Sequence, residues 1–86
     1  MQKNNLDSDN RFSALELRPG QQGVIGSVQG DDLLRRRLNA LGMVRGASLV
    51  ADQTAPMGDP RSYTVLGYQI SLRKEEAAHI ILQPAS

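Results

Sequence analysis

Few residues in this sequence are equipped for chemistry. There is one histidine, His79, and Glu75 and Glu76 lie just before it. Glu75 and His79 stand at i and i+4, the spacing that places two side chains on one helix face. A transition-metal site needs several His, Cys or carboxylate ligands converging. The helical turn that would carry this pair ends just before His79, so no metal site is expected within one chain. Glu75, Glu76 and His79 become candidates only where a second chain or a partner completes the set. Nucleophilic catalysis has even less to use. Cysteine is absent, and the lone histidine has no serine and carboxylate arranged around it. Asp31-Asp32 and Glu75-Glu76 are carboxylate pairs, but each falls where a helix begins, and capping and the helix dipole explain them. No enzymatic activity is expected.

Arg35, Arg36 and Arg37 form a basic run that could touch phosphate. Asp31 and Asp32 balance it, so a solvated helix face is the expectation. Small barrels that hold single-stranded nucleic acid offer stacking aromatic rings. Here only Phe12, Tyr63 and Tyr68 are available. The same shortage argues against a groove for proline-rich peptides. Gly20, Gly23 and Gly26 read GxxGxxG rather than GxGxxG, and no GxxxxGK[ST] occurs, so they are assigned to strand corners and turns. Met43, Val44 and Met57 sit at chain reversals. Flexible thioethers suit adaptable protein contacts. These residues either close the barrel ends or face a partner, and this area is the first choice for a partner surface.

The elements that position these residues are legible from periodicity. Leu34, Leu38 and Leu41 recur on one face of a helix from about Asp31 to Leu41. Gly42 falls where a left-handed residue stops a helix, and Met43 can then pack back on Leu38 in a Schellman ending. Gly46 supplies a second reversal. Strands are expected over Gly23–Gln29, Ser48–Thr54, Ser62–Leu66, Tyr68–Leu72 and His79–Gln83, with a helical turn over Arg73–Ala78 before the last. Ala55 to Pro60 is a loop whose prolines cannot sit in a central ladder. The pattern is mainly β: a small barrel of about five strands, one short helix between the first two. Residues 1–11 read as a disordered polar tail, and residues 12–84 as the domain.

Length and composition narrow the classes further. A chain of 86 residues is expected to form one domain. With no cysteine there are no disulfides and no Cys-ligated zinc or iron–sulfur clusters. A net charge of +1 creates no strong field toward nucleic acid. The longest apolar run, Ala77 to Leu82, is interrupted by His79 and is too short to span a bilayer. No signal-peptide pattern opens the chain. The expectation is a cytoplasmic protein, not membrane-embedded, whose exposed strand edges leave room for a weak homo-oligomer.

Taken in order, these residues resemble the ferrous-iron transport protein A family (FeoA) over about residues 12 to 83. Leu15-x-Leu17-x-Pro19-Gly20-x-x-Gly23 is similar to the family's opening strand. Leu38-x-x-Leu41-Gly42-Met43, followed by Gly46, is similar to its helix stop. Ala55-Pro56-Met57-Gly58-Asp59-Pro60 resembles its loop between the second and third strands. Gly67-x-x-Ile70-x-Leu72-Arg73-x-x-Glu76-Ala77, followed by Ile80, resembles its closing hairpin and last turn. Arg45 departs from the pattern, since the family often has proline there. Arginine reaches the same φ from a less restricted unfolded state.

The resemblance implies an SH3-like β-barrel working in the cytoplasm, reaching the inner face of the membrane through a partner. It implies an accessory role in bacterial ferrous iron uptake and iron homeostasis. The partner would be the large membrane ferrous permease with a cytosolic G-protein domain (FeoB), which this chain would regulate or assemble without transporting iron itself. No cofactor is expected. Partner contact is expected at Leu41, Gly42, Met43, Val44, Arg45 and Gly46, and at Pro56, Met57, Gly58, Asp59 and Pro60. Gly42 and Gly58 would hold backbone shape, and Met43 and Met57 would make apolar contact. Two alternatives stand beside this reading. One is a nucleic-acid-binding small barrel using the three arginines. The other is a free-standing metal-sensing relative of the C-terminal domain of iron-dependent repressors, using His79 with Glu75 or Glu76.

Overall fold

Short apolar runs separated by turn residues become strands, and the last of them recruits the first. The computed structural model describes residues 12–53 and 58–84. The expected polar tail at residues 1–11 lies outside the described residues. In chain order the elements are β1 (Phe12–Ser13), a 3-10 turn (Ala14–Glu16), β2 (Gln22–Val28), α1 (Asp32–Ala40), β3 (Ser48–Ala51), β4 (Arg61–Val65), β5 (Tyr68–Leu72), the one-turn helix α2 (Lys74–Ala77) and β6 (Ile80–Leu82). Six strands pair in the order β1-β6-β2-β3-β4-β5, each neighbouring pair antiparallel.

β2 is the strand that bends the sheet. Its first half pairs with β3, from Gln22↔Val50 to Val24↔Ser48. Its second half pairs with β6, from Ile25↔Leu82 to Val28↔Ile80, and the register shifts between Ile25 and Ser27. Gly26 lies at that shift. A bulge of this kind sharpens strand twist and lets one strand serve two halves of a small barrel.

The interior is apolar. Ile25, Leu38, Met43, Leu49, Tyr63, Val65, Leu72 and Ile80 are fully buried, and among the described residues no polar or charged one joins them. Tyr63 brings the one hydroxyl, which donates to the Ala14 carbonyl at 2.9 Å. Burial pushes that hydroxyl's pKa up, partly opposed by the neighbouring Arg61 charge. Arg61 itself donates to the Leu15 and Leu17 carbonyls, both at 2.9 Å. Two side chains of β4 thus hold the 3-10 turn against the barrel.

Two expectations differ from the structure in detail. A sixth strand, β1, exists; at two residues it is too short to show alternation. β3 ends at Ala51 instead of continuing toward Thr54, which is not among the described residues. Just past that end the Asp52 carboxylate accepts from Ser62 Oγ at 3.3 Å, Thr64 Oγ1 at 3.0 Å and Gln69 Nε2 at 3.1 Å. One carboxylate thereby crosslinks two further strands.

Candidate functional site

The helix stop is built as the spacing of its residues requires. Asp31 caps α1 by accepting the Leu34 N–H at 2.9 Å, as N-cap carboxylates do. At the other end the Gly42 N–H donates to the Asn39 carbonyl and the Met43 N–H to the Leu38 carbonyl, each at 3.0 Å. These are the two bonds of a Schellman ending, with Gly42 at φ +101°. The chain then returns to the barrel through the Gly46 N–H, which donates to the Ile25 carbonyl at 2.8 Å.

Met43 needs a correction. Of the two roles expected of it, closing the barrel end or offering a partner an apolar contact, burial leaves the first: it is 0% exposed and packs inside. The Schellman geometry turns its side chain back over Leu38, which is equally buried. Val44, at 45% exposure, is the apolar group that this reversal shows to solvent. Arg45 and Gly46 are exposed beside it, and Leu41 and Gly42 are half-buried.

Leu66, which the spacing of residues did not single out, completes this corner. Leu66 and Gly67 form the two-residue turn between β4 and β5, with φ of 53° and 85°. Such hairpins require positive φ and normally use Asn, Asp or Gly. A leucine in that place was the available signal. Leu66 is 70% exposed, and its Cδ1 would be 2.7 Å from a Cβ on Gly42. The Tyr68 hydroxyl donates to the Leu41 carbonyl. The helix stop and the hairpin tip therefore form one surface containing Val44, Leu66 and Tyr68.

The second expected contact segment lies elsewhere. Pro56 and Met57 are outside the described residues. Gly58, Asp59 and Pro60 precede Arg61, at the open end of the β4–β5 hairpin where Arg61 pairs with Leu72. The turn lies at the other end of β4, four residue steps or about 13 Å away at strand rise. Asp59 Oδ1 accepts the Lys74 N–H at 3.0 Å and so caps α2. The described part of the second segment, Gly58–Pro60, thus lies at the opposite end of β4 from the hairpin tip.

The basic run is largely paired. Arg35 bonds Asp32, and Arg37 bonds Glu76. Arg36 is exposed and has no salt bridge among the described residues. Glu76 Oε1 also accepts the Arg73 N–H at 2.9 Å. Burial alone would raise the Glu76 carboxyl. The Arg73 N–H and the Arg37 guanidinium outweigh it and hold the pKa below the usual carboxylate range. His79 Nδ1 donates to the Glu75 carbonyl at 2.8 Å, the only role open to it opposite an acceptor. Among the described residues no three His, Cys, Asp or Glu side chains group as a metal would need.

With this geometry in place, comparison with known proteins is informative. The family model for the FeoA domain matches residues 13–84. A curated relative from Porphyromonas gingivalis (strain ATCC BAA-308 / W83), an Fe(2+) transport protein A/Fe(2+) transporter FeoB fusion protein, is 42% identical over 65 residues. That match covers 76% of this chain and 8% of the fusion protein's length. Among solved structures, a FeoA-like protein from Clostridium acetobutylicum aligns with a TM-score of 0.80 at 28% identity, covering 90% of each chain. Stenotrophomonas maltophilia FeoA complexed with zinc, a procaryotic SH3 domain protein, aligns with a TM-score of 0.75 at 29% identity, over 84% of this chain and 89% of that one. The SH3-like barrel expected from the sequence is the architecture observed.

Proposed function

The chain belongs to the FeoA domain family of ferrous iron transport proteins, and from that premise we propose that it is a protein-interaction module for a membrane ferrous transporter of the FeoB kind. The observation that carries this reading is the Porphyromonas relative, in which one polypeptide joins such a domain to an Fe(2+) transporter. Units tethered in one chain meet at millimolar effective concentration. A separate chain of the same family must reach the transporter by its own affinity.

The remaining features support a docking role. No helix among the described residues is long and apolar enough to cross a membrane, so the chain is read as a peripheral partner on the cytosolic side. Its action is to regulate or assemble the transporter, without catalysis or a cofactor of its own. The contact surface is assigned to the solvent-facing residues of the Leu41–Gly46 reversal, Met43 excepted, with Gly58–Pro60 as a second, separate contact. Two of the three consecutive arginines are already paired within the fold, which weakens the nucleic-acid alternative.

The test is anaerobic uptake of radiolabelled ferrous iron by the source organism, by a strain lacking this chain, and by that strain with the chain restored. Uptake is expected to fall on removal and to recover on restoration. Unchanged uptake under iron limitation would overturn the assignment to ferrous transport.

A further inference from the structure

Large apolar side chains left in solvent are scattered over most small domains. Here Leu66 and Tyr68, at 70% and 42% exposure, meet at Gly42, and Val44, at 45% exposure, follows two residues on with its N–H donating to the Gly42 carbonyl at 2.9 Å. Leu66 is the one non-glycine residue with positive φ among those described. Asparagine would make the same turn with less strain. A bulky residue held in a sparsely populated conformation, with its side chain turned to water, is a sign of function. The Tyr68 hydroxyl fixes the tip to the helix stop through the Leu41 carbonyl, so the three apolar groups are presented on a braced surface.

The rim of this surface carries positive charge. Arg45 follows Val44 directly and is exposed. Arg36 is also exposed, but five helical residues turn it about 140° around the axis from Leu41, so Arg45 is the charge placed beside the corner. Neither has a salt bridge among the described residues, whereas Asp32 and Glu76 are engaged by Arg35 and Arg37. The corner is thus apolar at its centre, with the Arg45 guanidinium, free of any salt bridge among the described residues, next to Val44. Complementarity then selects an occupant with an apolar side chain beside a carboxylate, and it disfavours a basic one.

We infer that the Val44–Leu66–Tyr68 corner docks an acidic segment of the transporter's cytosolic part, with an apolar residue of that segment against Leu66 and a carboxylate against Arg45. This rests on the reading of the chain as a transporter-docking module, and names which surface docks and what it meets.

The test measures binding of the purified chain to the purified cytosolic part of the same organism's ferrous transporter by titration calorimetry. The intact chain, Leu66→Asn and Arg45→Glu are compared at low and high salt. The intact chain binds, and more weakly as salt rises. Both variants keep the native circular dichroism spectrum, and each weakens binding about tenfold or more at low salt. The gap between Arg45→Glu and the intact chain narrows at about 0.5 M salt, where exposed charges are screened. If the intact chain binds and both variants bind equally well, the corner is overturned and the docking role stands. If Leu66→Asn weakens binding while Arg45→Glu strengthens it, the acidic character of the occupant is overturned. If the intact chain does not bind at all, the docking role itself falls, and the corner with it.

Discussion

Leu66 fills the space in which any side chain on Gly42 would have to sit, with its Cδ1 2.7 Å from the position of a Cβ there. Two turns with positive φ, one ending a helix and one closing a hairpin, meet with the Leu66 side chain laid against Gly42. Each therefore limits what the other can be.

Alanine at Gly42 and alanine at Gly46 should separate strain from collision. Both positions have positive φ, but a Cβ on Gly46 would meet nothing within 4 Å. Gly46→Ala is expected to cost about 1–2 kcal/mol from left-handed strain alone. Gly42→Ala should cost more, because Leu66 must also move. In a Leu66→Gly background the excess should vanish, as a double-mutant cycle would record by chemical denaturation. Equal costs in the intact chain would mean that the contact with Leu66 contributes nothing.

Leu66→Asn should stabilise the fold. Asparagine visits the left-handed region readily, and a relief of roughly 1 kcal/mol is expected. Little burial is lost, since Leu66 is 70% exposed. For a domain this small, thermal denaturation should show a midpoint higher by about 4–8 °C. A lower midpoint would show that packing on Gly42 outweighs the strain.

Acid should destabilise the chain through Glu76. Its carboxyl pKa is held low in the folded protein, so the unfolded chain binds the proton more readily. The stability contributed by Glu76 is then complete above the unfolded value, about 4.3, and is lost as pH falls through the folded value. Glu76→Gln is expected to lower the melting midpoint at neutral pH and to flatten its decline in acid. A variant with the same acid profile as the intact chain would refute the role of this carboxylate.

Alkali should act through Tyr63. Its pKa is raised in the folded state, so its contribution is complete below the unfolded value near pH 10 and is lost as pH climbs toward the folded value. Tyr63→Phe should remove that alkaline loss. At neutral pH it should cost about 1 kcal/mol for the lost hydrogen bond. The Ala14 carbonyl keeps its second partner, the Leu17 N–H at 3.1 Å, so a larger penalty is not expected. Urea denaturation at pH 7 and above pH 10 would check both halves.

How much of this was legible in the sequence depended on whether a feature was local. The Asp31 cap, the leucine stripe and the Gly42-Met43 stop were readable because each is made by residues within a few positions. β1 was not, because two residues carry no period and their pairing comes from β6 at the far end of the domain. The direction of Met43 was hidden for a related reason. The Schellman ending said that it packs back on Leu38, but only the closed barrel shows that no solvent remains there. Leu66 escaped notice, and Tyr68 was read only as a strand aromatic, because their significance lies in meeting Gly42, a contact that strand alternation does not encode. The loop at Pro56–Pro60 was read as a second contact element beside the helix stop, and pairing along β4 puts its described end about 13 Å from the hairpin tip.

The pairing of Phe12 with Leu82 makes the barrel portable. Because β1 and β6 run antiparallel, the backbone arrives at Phe12 from the same side toward which it departs after Leu82. A sequence grafted at either margin starts from one small corner, within about 5.5 Å between Cα atoms. Neither graft has to thread through the sheet or displace a central strand. A unit with this wiring can be encoded alone or spliced to a larger protein without redesign of its interior.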